Sequence, residues 1–240
     1  MGSILTMARK EMRHLFFSPI AYTFMIVFVA LVTFFFWKDF FEVRQTTMVY
    51  FFAIFPWTFP LLIPGITMRA WAEERKQGTL EFLLTSPVQT WHVMLGKFLA
   101  GLVLVALCLL LTLWTPITVS TFGALDSGPV WGGYLGGLLM GSTFLAVGMF
   151  VGSFTQDQIV SFLVGVIVMY ALVFLGHPYV STEFGANSTF GTFARVISPL
   201  THFESIGRGV VDLRDIFYFV AIAAFFLYLN ARVIDLRRWR

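Results

Sequence analysis

Charge is scarce in this sequence. Asp, Glu, Lys and Arg make up 12% of its 240 residues, whereas ordinary soluble domains carry about 25%. Hydrophobic residues account for 58%, so the sequence excludes a water-soluble domain and predicts an integral membrane protein. The net charge is only +3, and the sequence has no basic patch of the kind that binds nucleic acid. We therefore expect no nucleic-acid partner.

The sequence also lacks the motifs of nucleotide and metal chemistry. Neither the phosphate-binding pattern G-x-x-x-x-G-K-[ST] nor the zinc-binding pattern H-E-x-x-H occurs. Cys108 is the single cysteine, so it has no partner for an internal disulfide. His177 and His202 fall in one predicted outer region, where ordinary interfacial histidines are favoured over a shared metal or substrate site. We expect no catalytic residue, metal or cofactor on this chain.

Long apolar runs indicate how the chain crosses a bilayer. Helices that cross the ~30 Å hydrocarbon core need runs of about 20 residues, whereas barrel strands show alternating segments of about 10 residues. The runs here are of the first kind, so we predict an all-α integral membrane protein with one transmembrane domain over residues 1–240. Its six transmembrane helices are predicted at residues 20–37, 48–68, 98–118, 130–154, 159–177 and 215–233.

Two further segments are partly apolar but are not expected to cross. Residues 4–17 mix apolar and charged side chains, which is typical of an amphipathic helix in the membrane interface. Its charged residues include Arg9, Lys10, Glu11 and Arg13. Residues 178–213 contain apolar pieces that are too short to span. Short re-entrant helices that dip into the outer leaflet explain that pattern.

Prolines recur in the second predicted span. Pro56, Pro60 and Pro64 follow each other at a spacing of four, which removes three backbone donors near one face of the helix. The spacing predicts a kinked or broken helix. Such a helix is either a flexible gate that faces substrate or a locally bent helix packed against its neighbours, and the second interpretation is favoured because membrane helices tolerate proline.

Glycines recur in the fourth predicted span. Gly133, Gly137 and Gly141 are also spaced by four, so they lie on one face of a helix. Small residues at this spacing let a second helix approach closely. We predict a tight helix-packing surface, which lies either within one subunit or at a dimer interface. The sequence favours neither.

Lysine and arginine residues predict the orientation. With six spans, eleven of the sixteen lie on the side of the N-terminus and five on the other side. Positive residues accumulate in cytoplasmic loops, so we predict a multi-pass protein of the bacterial inner membrane with both termini in the cytoplasm. The spans contain almost no ionisable residues. Proton- and ion-coupled transporters usually keep carboxylates in the membrane, so an energy source outside the bilayer is favoured.

Four motifs carry a resemblance to a known family. They are A-R-K-E at residues 8–11, E-E-R-K-Q-G-T-L-E-F-L-L-T-S-P at residues 73–87, L-G-K at residues 95–97 and S-P-L-T-H-F-E-S-I-G-R-G-V-V-D at residues 198–212. The first three, with their order among the spans, resemble the permease subunit of type-2 ABC transporters over essentially the whole chain. The fourth looks like the branch that includes the gliding-motility-associated permease.

The resemblance implies two permease subunits, expected as a homodimer, bound to two ABC ATPase subunits that carry the ATP and Mg. Residues 73–86 would form a cytoplasmic coupling helix in a cleft of the ATPase; an amphipathic loop resting on lipid is the alternative. The implied coupling residues are Glu73, Glu74, Arg75, Lys76, Gly78, Thr79, Leu80, Glu81, Leu83 and Leu84. Residues 4–17 would cradle the ATPase, and Arg208 and Asp212 would structure an outer gate.

The expected function is export or extraction of a substrate, driven by ATP hydrolysis on the partner chain. The first alternative is a mechanotransmitting anchor that passes this motion to a periplasmic or membrane accessory protein without transport, as in a gliding machinery. A stand-alone channel or secondary carrier is the second alternative, which the scarcity of carboxylates in the spans disfavours. Related permeases for copper-site maturation and for drug or polysaccharide export also fit, so the substrate stays open.

Overall fold

A computed structural model describes residues 2–43, 47–76, 90–155, 157–179 and 189–237. Within these ranges the chain is helical and contains no strand, which confirms the all-α prediction. The first helices are α1 (Gly2–Phe17), α2 (Pro19–Val43), α3 (Val49–Ala53), α4 (Phe55–Thr67), α5 (Arg69–Lys76) and α6 (Thr90–Leu111). They are followed by α7 (Trp114–Ser120), α8 (Ser127–Gly152), α9 (Gln158–Leu175), α10 (Thr189–Ile197), α11 (Pro199–Gly207) and α12 (Leu213–Arg237).

Five stretches of the described chain are long and apolar enough to cross a membrane. They are Pro19–Phe41, Thr90–Ser120, Ser127–Gly152, Gln158–Leu175 and Leu213–Leu236. These stretches overlap five of the six predicted spans. The predicted span at 48–68 instead contains α3 and α4, and the longer of the two has only 13 residues. The predicted interfacial helix corresponds to α1, and the predicted outer region contains α10 and α11.

Prolines shape the broken helix formed by α3 and α4. The break lies at Ile54, and Pro56 follows in the first turn of α4, where a missing N–H breaks no helical hydrogen bond. Pro60 lies inside α4, and one turn before it the carbonyl of Trp57 accepts a hydrogen bond of 2.7 Å from the Tyr170 hydroxyl on α9. A neighbouring helix thus binds backbone near the proline, as expected for interrupted helices in membranes.

Helix α6 begins earlier than its apolar run. The predicted span starts at residue 98, whereas the helix starts at Thr90. Its first residues include Thr90, His92 and Lys97. These polar residues lie before the hydrophobic run, but they are part of the helix. Hydropathy therefore predicts the part of α6 that suits lipid and misses the turns before it.

Helix α8 lies at the centre of the bundle. It packs against α4, α6, α9, α11 and α12. Of its most apolar stretch 72% is buried, against at most 50% in the other four candidate spans. The packing of α6, α9 and α12 therefore depends on the surface that α8 offers them.

The glycines of α8 leave room for aromatic rings of α3 and α4. A Cβ at Gly133 would fall on the ring of Phe52, and one at Gly137 would lie 2.9 Å from the ring of Phe55. One at Gly141 would lie 2.8 Å from a valine of α6. All three contacts are within one chain, so this glycine face packs inside the subunit.

We expect Gly133→Ala to destabilise the protein, because the added methyl group overlaps the Phe52 ring. Overpacking of this kind typically costs ~1–3 kcal/mol. Gly65→Ala is the matched control, since a Cβ at Gly65 meets nothing within 4 Å and alanine is the better helix former. Thermal unfolding in detergent measures both. Equal midpoints for the two variants would contradict the packing described for α8.

Candidate functional site

Polar contacts gather at the two ends of this apolar bundle. One end is formed by α1, α5, the start of α6 and the end of α12, and we call it the N-terminal end. There Thr90 of α6 donates a hydrogen bond of 2.7 Å to Asp235 of α12. The opposite end is formed by α10, α11 and the start of α12, where His202 contacts Asp215. Each end is a candidate site.

A lysine joins three helices at the N-terminal end. Nζ of Lys97 on α6 lies 3.2 Å from Oε1 of Glu11 on α1 and 5.5 Å from the ring centroid of Trp71 on α5. The side chains of Lys97 and Glu11 are only 7% and 18% exposed, so water screens their attraction weakly. We call Glu11, Trp71 and Lys97 the Lys97 junction.

The backbones at this end are close as well. A Cβ at Gly96 would lie 2.8 Å from Cβ of Met7 and 3.1 Å from the backbone nitrogen of Ala8, so α1 and α6 approach where α6 has no side chain. Arg69 at the start of α5 donates a hydrogen bond of 3.3 Å to the Ser18 hydroxyl, which lies between α1 and α2. Helix α1 is therefore fixed to the bundle along its length.

The predicted interfacial residues divide between two faces of α1. Glu11 points to Lys97, whereas Arg9, Lys10 and Arg13 are exposed. Leu5 and Phe17 are exposed on the same helix. The outer face of α1 thus combines cations with apolar side chains, which is the composition of a helix at a membrane surface.

Helix α5 carries the first of the predicted coupling residues. Trp71 and Ala72 are each 1% exposed, and Trp71 lies in a buried cluster with Met94 of α6 and Ala231 of α12. This end of α5 is therefore part of the core. The second half of α5 contains Glu73, Glu74, Arg75 and Lys76. The other predicted coupling residues, Gly78, Thr79, Leu80, Glu81, Leu83 and Leu84, lie outside the described residues.

The opposite end contains a buried polar centre. Nδ1 of His202 lies 2.7 Å from Oδ1 of Asp215, and Nε2 lies 3.1 Å from the carbonyl of Val196. The ring of Tyr218 stacks on His202 at 3.9 Å, and its hydroxyl donates to the carbonyl of Ile197. Because a backbone carbonyl can only accept, Nε2 donates to Val196, and Nδ1 faces the carboxyl group of Asp215. This centre links α10, α11 and α12.

The residues predicted for an outer gate make contacts with nearby backbone. Arg208 is exposed at the end of α11, where its backbone N–H donates to Ser205. Oδ1 of Asp212 accepts a hydrogen bond of 3.0 Å from the backbone of Arg214. His177 stacks on Tyr179 at 5.2 Å and is not a partner of His202. Among the described residues, no three metal-ligating side chains come together.

A comparison with known families agrees with this architecture. Residues 38–232 match the family described as ABC-2 family transporter protein. The chain belongs to this family. It is thus the permease subunit of an ABC transporter and a multi-pass membrane protein. The predicted permease class is confirmed at this level, whereas the gliding-motility branch stays a prediction.

A second comparison and the general properties of the family add two points. No curated protein matches the sequence. Members of this family are generally non-enzymatic membrane subunits that work with an ATPase partner. Contacts and ligand surfaces are therefore the features of this permease that bear on its function.

Sequence reasoning missed the Glu11–Lys97 and His202–Asp215 contacts of the permease. His202 and Asp215 are 13 positions apart in different helices, and Glu11 and Lys97 are 86 positions apart. One signal was present at each place. A carboxylate heads the apolar run of α12, and a lysine lies directly before the apolar run of α6. A charge at the edge of a span needs a partner when it is buried.

We expect Lys97→Met to destabilise the permease by ~1–3 kcal/mol, because it leaves the half-buried Glu11 carboxylate without this cation. Lys10→Met is the matched control, since Lys10 is exposed on the same end. Exposed substitutions usually change stability by less than about 0.5 kcal/mol. Thermal unfolding in detergent compares the two variants, and the Lys97 junction would be refuted if they unfolded at the same temperature.

The His202–Asp215 contact predicts strong non-additivity. Each of His202→Phe and Asp215→Leu leaves a buried polar partner, and breaking a buried pair costs about 3–5 kcal/mol. The double variant removes both polar groups and should lose less than the sum of the single losses. Thermal unfolding of the four proteins gives the coupling energy. Additive losses would show that the two side chains do not act as a pair.

Proposed function

We propose that this permease couples ATP hydrolysis on a separate ABC ATPase dimer to export or extraction of a substrate across the bacterial inner membrane. Residues 73–86 act as the coupling element, and ATP and Mg bind to the partner chain. One observation carries the proposal: α5, which ends at Lys76, and α6, which begins at Thr90, are both fixed to the bundle.

Side-chain contacts fix these two attachments. Trp71 of α5 lies beside Lys97 of α6, and Thr90 at the start of α6 is hydrogen bonded to Asp235 of α12. Close-packed interiors are stiff and transmit strain. A force on the coupling element would therefore pass into α5, α6 and α12 instead of being absorbed by a loose connection.

A sixth crossing, made by α3 and α4 together, is part of the proposal. The pair runs antiparallel to α2, since Phe28 stacks on Phe59 and Phe36 contacts Phe51. An even number of crossings puts both termini on one side of the membrane. This agrees with the contacts of α1 and of the end of α12 at the N-terminal end. The excess of Lys and Arg on that side favours the cytoplasm.

The opposite end then faces away from the ATPase. Helices α10 and α11 have nine residues each, so each is about 14 Å long and reaches halfway through the ~30 Å hydrocarbon core. We assign them as re-entrant helices at the exit. Arg208 and Asp212 flank the turn from α11 to α12, where a gate would open. A second permease copy completes the proposed complex.

Charge reversal tests the coupling element. In the permease coexpressed with its ATPase, Glu73→Lys, Glu74→Lys and Arg75→Glu together should abolish copurification of the ATPase and its stimulated hydrolysis. The reason is that a complementary docking surface would meet like charges. The folded permease should persist, because these residues follow the buried part of α5.

The matched control is Arg214→Glu, which reverses an exposed charge at the opposite end and should leave copurification unchanged. Thermal unfolding of both variants checks that the permease is folded. If ATPase binding and the stimulated hydrolysis of ATP survive the triple reversal in a folded permease, residues 73–86 are not the coupling element.

A further inference from the structure

An apolar groove runs along one side of the bundle toward the opposite end. It has a volume of about 620 Å³ and lies between α2, α3 and α4, with Tyr170 of α9 at its wall. Ligand sites of proteins typically enclose about 300–1,000 Å³. The groove opens laterally, because Phe35, Tyr50 and Leu61 on its rim are 44%, 50% and 42% exposed. A ligand can therefore enter from the side of the bundle.

The wall of the groove is apolar in its chemistry. Two of its hydroxyl groups are already engaged: Thr58 donates to the carbonyl of Ile54 at 3.2 Å, and Tyr170 donates to that of Trp57 at 2.7 Å. The remaining wall is formed mainly by aromatic and aliphatic side chains. A hydrocarbon chain can pack against such a wall, whereas a polar ligand would lose its hydrogen bonds to water and gain none from the wall.

One end of the groove carries a carboxylate. Asp39 is exposed at that end and forms no hydrogen bond or ion pair with any residue of the described part of the chain. Thr47, which precedes α3, also lines the groove. An ammonium group or another hydrogen-bond donor would complement Asp39, whereas an anionic group would be repelled.

The length of the groove fits one leaflet of a bilayer. Leu31 and Asp39 mark its extent along α2, and eight residues of helix rise about 12 Å. Half of the ~30 Å hydrocarbon core is about 15 Å. A chain that lies in the groove thus spans most of one leaflet, with its polar end at Asp39.

We propose that this groove binds one amphiphile, whose acyl chain packs against Phe35, Trp57 and Leu61 and whose ammonium-bearing head group contacts Asp39. The site does not depend on ATP coupling, because it is complete in the permease alone. The same chemistry fits a resident membrane lipid and an amphiphilic substrate, so binding is tested separately from transport.

Native mass spectrometry of the purified full-length permease tests the site. The probes are phosphatidylethanolamine and phosphatidylglycerol with identical acyl chains, titrated into the detergent. We expect one phosphatidylethanolamine to be retained per permease chain. Ala53→Trp fills the groove and should lower this retention by about tenfold. Ala224→Trp is the matched control, since Ala224 is exposed on α12 outside the groove, and it should retain the lipid.

Asp39→Asn tests the head-group contact without filling the groove. It should remove the preference for phosphatidylethanolamine over phosphatidylglycerol and leave the thermal unfolding midpoint unchanged. Equal lipid retention by the two tryptophan variants would overturn the proposal and indicate ordinary annular lipid. A second permease copy in the groove would also overturn it, and this would appear as dimers that Ala53→Trp converts to monomers while lipid retention stays the same.

Discussion

Close packing against α8 is the constraint on which the rest of the bundle depends. Lipid tails are as apolar as leucine, so burial of apolar surface drives helix association weakly in a membrane, and contact between well-fitted surfaces must replace it. Gly133 and Gly137 supply that fit by admitting the rings of Phe52 and Phe55. Helices α3 and α4 can then lie inside the bundle although neither is long enough to cross by itself.

The charged groups follow from the same constraint. Because ionised side chains are costly in hydrocarbon, the ion pair Glu11–Lys97 and the hydrogen bond His202–Asp215 lie at the two ends of the bundle. Each joins elements that are distant in sequence. The first ties α1 to α6, and the second ties α11 to α12. The apolar middle of the bundle is thus tied by polar contacts at both ends.

Much of this could be predicted from hydropathy, because a span is a local property of the chain. Five of the six predicted spans overlap long apolar helices, and the spacing of Pro56, Pro60 and Pro64 predicts the interrupted one. Partners are not a local property. The sequence did not decide whether Gly133 packs within one subunit or at a dimer interface, and it did not predict the contact between His202 and Asp215. Contacts of both kinds form only when the helices pack together. The coupling element as a whole stays a prediction, and its residues beyond Lys76 lie outside the described part of the chain.

The groove and the coupling element share one helical path. Trp57 and Leu61 of α4 line the groove, and α5 follows α4 after a turn at Met68, whose N–H still donates to Pro64 at 2.8 Å. That hydrogen bond keeps the two helices nearly continuous up to the buried Trp71. A force applied beyond α5 therefore reaches the groove wall through about four turns of helix. By linkage, an occupant that prefers one position of α4 favours the matching position of α5.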